Sequence, residues 1–377
     1  MYHIKKILFF SRDPGGANCI IPLYKRIEAD KNIQPHLYCR DFACQKYREK
    51  SLSFKNINRE LNHITPRSIE NFLKRKRPNL IITATSSDDN TERFFWRAAR
   101  KLNIKTLAIL DQWMNYKDRF SDDYREYPKD KKHLNIPDII CVMDEYAKGE
   151  MVGQGFPSEN IKVTGQPYFE EISKEIERFN HKKKKKIRKS FNIEDGLLLI
   201  SFASEPIIEN NPKDPLKYGY TELTILESLL KALKKNIDKT GRKIALIIKL
   251  HPKNIDGIFD NLIKKYSFGT RAKIIVNKTL PPRDLILSSD FVLGMSSMFL
   301  IEAAILKKPI MSIQIGLKGE DPFVLSRIGR TKTVRDQKTL DNELQEFIKS
   351  KNFKQYLIKF KYIKNSTANI IKIINEI

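Results

Sequence analysis

A chain of 377 residues with 41% apolar content is longer than one hydrophobic core usually serves, so two domains are expected, each able to bury a core of its own. The 70 Lys and Arg against 45 Asp and Glu give a net charge of +25, which suits nucleic acid, an anionic membrane surface or phosphorylated substrates, and equally a Lys-, Ile- and Asn-rich compositional bias with no ligand behind it. No stretch approaches the roughly 20 apolar residues of a membrane span, and the opening MYHIKKILFF reads as a first strand rather than a secretory segment, which predicts a cytoplasmic protein at most peripheral to a membrane.

Short apolar runs alternate with amphipathic stretches from the start. IKKILFF (4–10) precedes a helix-like stretch from Asn18 to Ala29, then IQPHLYC, a further helix and NLIITAT (79–85). ERFFWRAARKLN, KTLAIL (105–110), PDIICVM (137–143), DEYAKGEMVGQG and IKVTG (161–165) continue the rhythm, which predicts buried parallel strands with crossover helices. The charged stretch EEISKEIERFNHKKKKKIRKSFN then separates two such blocks and sets the predicted domains at 1–170 and 171–377. Lys182 to Lys186 could grip phosphates or be a solvated segment.

The second block runs through LLLISFA (197–203), a helix from about Thr221 to Asn236, KIALIIKLHP (243–252), AKIIVN (272–277), DFVLGMSS (290–297), SMFLIEAAILKK and PIMSIQI (309–315). The last 40 residues read as helical, and the final helix can cross back to the first domain. The expected fold class is α/β, two doubly wound Rossmann-like domains facing one another with a C-terminal helix and a ligand cleft at the carboxyl ends of the strands. Cys19, Cys39, Cys44 and Cys141 lack CxxC spacing and read as reduced, mostly buried thiols.

The densest chemistry lies in the second domain. Lys249-Leu250-His251-Pro252 directly follows an apolar strand, where a Lys and a His can meet an anion; the plainer reading has His251 capping the strand. Gly294, Ser296 and Ser297 then join a strand to a helix, so a tight turn, two hydroxyls and the free N–H groups of the helix start can hold a phosphate, unless Ser296 is a simple N-cap. Glu302 lies over one turn into that helix, placed to accept from ribose hydroxyls or merely solvated. Ser204 and Glu205 end the first strand of this domain and are expected at the gap between domains, as donor contacts or as a Glu-Pro turn.

In the first domain, Asp13-Pro14-Gly15-Gly16-Ala17-Asn18 follows the first strand. It is not a dinucleotide fingerprint; its glycines are expected to admit a ligand and Asp13 to offer a carboxylate, with Gly15, Gly16 and Asn18 on the acceptor side. Thr83 to Asp89 follows the next predicted strand of the cleft. Asp111, Trp113, Asn115, Tyr116 and Arg119 suit stacking on a sugar and bonding its hydroxyls, or else form a loop anchored by Trp113.

KLHP and GMSS together resemble the HP and SS motifs of bacterial sialyltransferases, polysialyltransferases, capsule Kdo transferases and CDP-glycerol phosphotransferases, most closely over the second domain. IKVTGQPYF and SSDFVLGMSSMFLIEA also look like enzymes of the two-domain GT-B kind generally, including UDP-N-acetylglucosamine 2-epimerases. The first resemblance implies that His251, Ser296 and Ser297 contact the donor phosphate, with a CMP- or CDP-activated donor favoured over UDP. It also implies an acidic base in the first domain, although the acidic-acidic-Gly motif of the sialyltransferases is not plainly present.

The leading expectation is a glycosyltransferase that moves a sugar from a nucleotide donor to a surface-glycan or other carbohydrate acceptor, lipid-linked at an anionic leaflet in one version. Asp13 is the chosen base and Asp111 the reserve, while Lys249, His251 and the serine-bearing helix stabilise the departing phosphate. No metal or other cofactor is expected: Asp88-Asp89, the nearest approach to a metal-binding DxD, falls in the domain away from the donor. The alternatives are a nucleotide-sugar epimerase or hydrolase on the same fold, and a basic nucleic-acid-binding protein; the latter has only the charge in its favour.

Overall fold

The computed structural model describes residues 4–121, 134–194, 196–350 and 352–377. The chain forms two compact units, Met1–Glu171 with Tyr362–Ile377, and Ile172–Lys361. Among the described residues no helix is long and apolar enough to cross a membrane.

The first unit is built on β1 (Lys5–Ser11), β2 (Ile33–Cys39), β3 (Lys55–Asn56), β4 (Leu80–Thr83), β5 (Lys105–Ile109), β6 (Ile139–Val142) and β7 (Ile161–Val163). They pair in parallel in the order β3-β2-β1-β4-β5-β6-β7. Helices cover both faces, which is why these strands read as continuous apolar runs. Ile7 and Phe9 pack with Ile20, Leu23 and Ile27 of the helix Pro14–Glu28 and with Ile370 and Ile374 of the helix Ser366–Glu376, while Leu8 and Phe10 point the other way, to Phe72 and Phe95.

The second unit repeats the plan with β8 (Leu198–Ala203), β9 (Ile244–Lys249), β10 (Ala272–Asn277), β11 (Phe291–Gly294), β12 (Ile310–Ile313) and β13 (Thr333–Val334). They lie parallel in the order β10-β9-β8-β11-β12-β13. The helix Glu222–Thr240 starts at a Thr221/Thr224 capping box, ends on left-handed Gly241, and packs Leu226, Leu229 and Leu233 on this sheet. In both sheets the strand order reverses once, between β1 and β4 and between β8 and β11, where an open α/β sheet offers room for a ligand.

Three expectations change. The first helix begins at Pro14, not Asn18, because Pro is already set for the first helical position; Gly15 and Gly16 are therefore helical. The last 40 residues are not one helical stretch: the helix Gln337–Lys349, a short turn at Phe353–Tyr356 and a non-helical segment precede Ser366–Glu376. Cys39 and Cys44 are joined by a disulfide rather than reduced, since the turn out of β2 into the helix Asp41–Glu49 brings their Cα atoms to 5.4 Å; Cys19 and Cys141 are buried thiols.

Two glycines separate close packing from helix propensity. A Cβ on Gly16 would lie 2.3 Å from Ala84 Cβ, whereas one on Gly149, inside the helix Glu145–Gly153, meets nothing within 4 Å. Gly16→Ala should destabilise by ~1–3 kcal/mol through overpacking and Gly149→Ala should stabilise by roughly 0.5–1 kcal/mol. Thermal and urea unfolding of the two variants should move in opposite directions.

Candidate functional site

In the first unit the polar residues gather where β1 and β4 end. Asp13 is the N-cap residue of the helix Pro14–Glu28, yet its side chain makes no cap bond and is free to serve the site. It accepts from Arg12 at 3.3 Å and lies near Ser86. Burial raises its pKa above the ordinary carboxylate value, helped by Asp88 and Asp111 and opposed by Ser86 and Arg12. Arg12 also binds Asp41 at 2.8 Å and Asp88 at 2.5 Å, and Arg40 binds Asp89 at 3.2 Å. Asp88 and Asp89 are thus held by guanidinium groups. The loop that carries them is fixed from beneath by Arg93, which donates to the carbonyls of Ser86 (3.0 Å) and Asp89 (2.7 Å).

Gly15 and Gly16 let the helix start pack against its neighbours: a Cβ on Gly15 would lie 2.2 Å from Asp111 Oδ2, and one on Gly16 would strike Ala84. Asn18 is half-buried within the helix. Asp111, the reserve base, is buried in a 2.6 Å ion pair with Arg119, which also donates to the Thr85 carbonyl and hydroxyl and to the Met114 carbonyl. Both ends of that pair are engaged inside the protein.

Trp113 and Tyr116 are interior as well. The indole donates to Asp144 at 2.8 Å and stacks on Phe169, and the Tyr116 hydroxyl donates to Glu150 at 2.8 Å. The loop is therefore the Trp-anchored one, and of the predicted acceptor contacts in it only Asn115 is exposed.

Two participants escaped the sequence reading. Glu92, in the first turn of the helix Thr91–Lys101, is 1% exposed, accepts from Ser86 Oγ at 3.0 Å and has no partner for its second oxygen. Burial, with the nearby charges of Asp13 and Asp89, raises its pKa to about 8, so it is a neutral carboxylic acid at pH 7. An acidic residue in a first turn ordinarily favours the helix dipole from the surface, and nothing local marks this one as interior. Arg12 was legible only as the neighbour of Asp13.

In the second unit, Ser204 and Glu205 follow β8 and Met295 to Ser297 follow β11, across the point where the strand order reverses. The start of the helix Met298–Ile305 carries a carboxyl group already: Glu205 accepts from Ser296 N (2.6 Å), Ser297 N (2.9 Å) and Ser296 Oγ (2.9 Å). This corrects the expectation of an open phosphate cradle there. Glu205 still has a raised pKa, because burial outweighs these donors. Gly294 is the last residue of β11 with no left-handed backbone, so it does not supply the tight turn. Behind the turn, Ser312 and Gln314 donate to the Met295 carbonyl, and Asp321 in turn accepts from Gln314 at 3.0 Å. The hydroxyl oxygens of Ser204 and Ser297 are buried and unbonded. Glu302 is buried within the helix.

His251 ends the run out of β9. Its Nδ1 accepts the Lys253 N–H at 3.1 Å, and Asn254 Oδ1 accepts the His251 N–H at 3.0 Å. Burial lowers the ring pKa to about 4, with Lys253 and Lys278 adding to the fall. The imidazole is therefore neutral at pH 7, and with Nδ1 serving as acceptor its proton lies on Nε2, where it is a donor. Pro252 is exposed beside it, and Lys249 donates to the Lys278 carbonyl at 2.6 Å. The lysine run is partly spent on structure: Lys183 pairs with Asp284, and Lys184 and Arg188 with Asp290.

No protein-family model matches the sequence, and no curated protein matches it. Solved structures do. UDP-GlcNAc 2-epimerase from Neisseria meningitidis bound to UDP-GlcNAc superposes with a TM-score of 0.70 at 15% identity over 99% of this chain and 100% of that one. The UDP-GlcNAc 2-epimerase of Methanocaldococcus jannaschii gives 0.69 at 18% identity over 98% and 99%, and a glycosyltransferase from Rickettsia africae gives 0.62 at 12% over 98% and 93%. Likeness of this extent at such low identity establishes a common architecture, and the chain has the two-domain α/β fold of the GT-B kind.

Proposed function

We propose that the chain is an enzyme acting on a nucleotide sugar, with a uridine nucleotide favoured over the cytidine nucleotide suggested by the HP and SS motifs, and that it rearranges or cleaves its substrate by acid–base chemistry without a separate acceptor. The observation that carries this reading is the likeness to UDP-GlcNAc 2-epimerases over nearly the whole of both chains. Local chemistry supports it. In the second unit, the Nε2–H of His251 is a neutral donor that can meet a phosphate oxygen, beside the turn that carries Ser296 and Ser297. In the first unit, Asp13 has the raised pKa and unused acceptor capacity of an acid–base group.

A second reading, transfer of the sugar to a carbohydrate acceptor, is supported by the motif pair around His251 and Ser297 and by the likeness to the Rickettsia africae glycosyltransferase. In that version the net positive charge would favour a lipid-linked acceptor at an anionic membrane surface.

Incubation with UDP-GlcNAc and with other UDP-sugars, no acceptor added, separates the two by product analysis. An epimer or free sugar formed at a catalytic rate is the expected outcome; an untouched donor that turns over only when glycan is supplied would replace the first reading by the second. His251→Ala and Ser297→Ala should each lower kcat/KM by the equivalent of ~2 to 4 kcal/mol, with circular dichroism unchanged. Asp13→Asn should abolish turnover while leaving UDP affinity, measured by calorimetry, near that of the parent.

A further inference from the structure

His251-Pro252-Lys253-Asn254 form a turn in which the Asn254 N–H donates to the His251 carbonyl at 3.0 Å. The Asn254 side chain folds back along it, so that its Oδ1 accepts the His251 N–H at 3.0 Å. The other end of the same amide is held as well: Nδ2 donates to both carboxyl oxygens of Glu209 at 3.2 Å and to Glu222 Oε1 at 3.3 Å. We propose that Asn254 is the positioning residue for the His251 ring, clasped between the histidine turn on one side and the carboxyls of Glu209 and Glu222 on the other.

Three features support the clasp. Asn254 is 2% exposed and Glu222 is fully buried, and only a carboxamide offers an acceptor to the backbone N–H together with two donors to the two carboxyls. The carboxyls are themselves fixed: the Ile255 N–H donates to Glu209 at 3.0 Å and the Ile208 N–H to Glu222 at 3.2 Å, while Lys278 Nζ donates to the Asn254 carbonyl at 3.1 Å. Third, β8 lies between β9 and β11, and the segment that follows β8 reaches the turns after both neighbours. Its Glu205 holds Ser296 and Ser297, and four residues on its Glu209 holds Asn254 and Ile255. Both turns of the candidate donor site are thus tied to residues 205–209.

The consequence for the ring is local. His251 Nδ1 accepts the Lys253 N–H at 3.1 Å, a bond made inside the turn that the Asn254 side chain closes. With the turn closed, the Nε2–H tautomer is selected and the donor points away from the backbone that holds Nδ1. With the turn open, either nitrogen can carry the proton, water reaches the ring, and the burial that holds its pKa down is relieved.

The role of the clasp in catalysis rests on the reading of His251 as a phosphate contact, and the experiment keeps the two apart. In nitrogen-15 NMR of histidine-labelled protein, the ring resonances absent from His251→Ala should show the neutral Nε2–H tautomer at pH 7. In Asn254→Ala they should move toward the averaged positions of a free imidazole, with the titration midpoint raised. Glu209→Ala, at a part-exposed position, should do the same in smaller measure and serves where loss of the buried amide unfolds the chain. Asn254→Asp keeps the acceptor but sets a third carboxyl against Glu209 and Glu222, and should behave like Asn254→Ala; Glu222→Gln added to it returns an amide to the pair and should restore the parent tautomer. Ring resonances that ignore all of these changes overturn the clasp whatever happens to ligand binding. In calorimetry with UDP, Asn254→Ala should weaken binding by ~10-fold, and Asn254→Ala with His251→Ala should bind no more weakly than His251→Ala alone. Losses that multiply mean that Asn254 does not act through the ring, and overturn the proposal. If His251→Ala binds and turns over UDP-sugars like the parent, the phosphate reading of His251 fails, while the histidine resonances still decide whether Asn254 sets the ring.

Discussion

The chemistry of the first unit depends on how closely the helix Pro14–Glu28 approaches the ends of β4 and β5, a distance that only residues without a Cβ permit. With Gly16 against Ala84 and Gly15 against Asp111, the helix start sits low over the sheet and Asp13 is brought to the loop that follows β4. The same approach confines the Asp111 carboxylate, which Arg119 neutralises from the other side. One steric condition therefore fixes which carboxylate is exposed to the site and which is built into the interior.

Charge is sorted by the same geometry. Arg12 and Arg40 hold Asp41, Asp88 and Asp89 in ion pairs, while burial pushes the pKa values of Asp13, itself 3.3 Å from Arg12, and of Glu92 upward. The second unit solves a different problem: the positive start of the helix Met298–Ile305 is satisfied internally by Glu205, while His251 is kept neutral and presents a donor. In both places a potentially reactive group owes its protonation state to what surrounds it rather than to its residue type.

Much of the architecture was legible because buried parallel strands leave an unbroken apolar signature. AKIIVN was read as 272–277 and is β10 at those residues; LLLISFA, KIALIIKLHP and PIMSIQI each contain a strand. Helix ends were less legible, since Pro14 can begin a helix or interrupt one. The site residues divide by the range of their partners. His251 and Ser297 could be singled out because the strand and the turn that present them are local. The fates of Trp113 and Arg119 were not readable, because the first is decided by Asp144 and Phe169 and the second by Asp111 and Thr85. Glu92 was invisible for the same reason. Its spacing is that of a surface residue, and only the fold shows that its first turn faces inward. The bond between Cys39 and Cys44 likewise depends on a chain reversal that five residues of sequence do not announce.

The helix Ser366–Glu376 contributes Ile370 and Ile374 to the core of the first unit, and Lys5 on β1 donates to the Ile374 carbonyl at 2.7 Å. A strand at one end of the chain is thus finished by a helix at the other, with the whole second unit encoded between them. During synthesis on the ribosome the second unit, Ile172–Lys361, has all its residues before the first does. The first unit must wait with part of one face of its core open until the helix Ser366–Glu376 emerges, so the order in which the two cores close is the reverse of the order in which they begin.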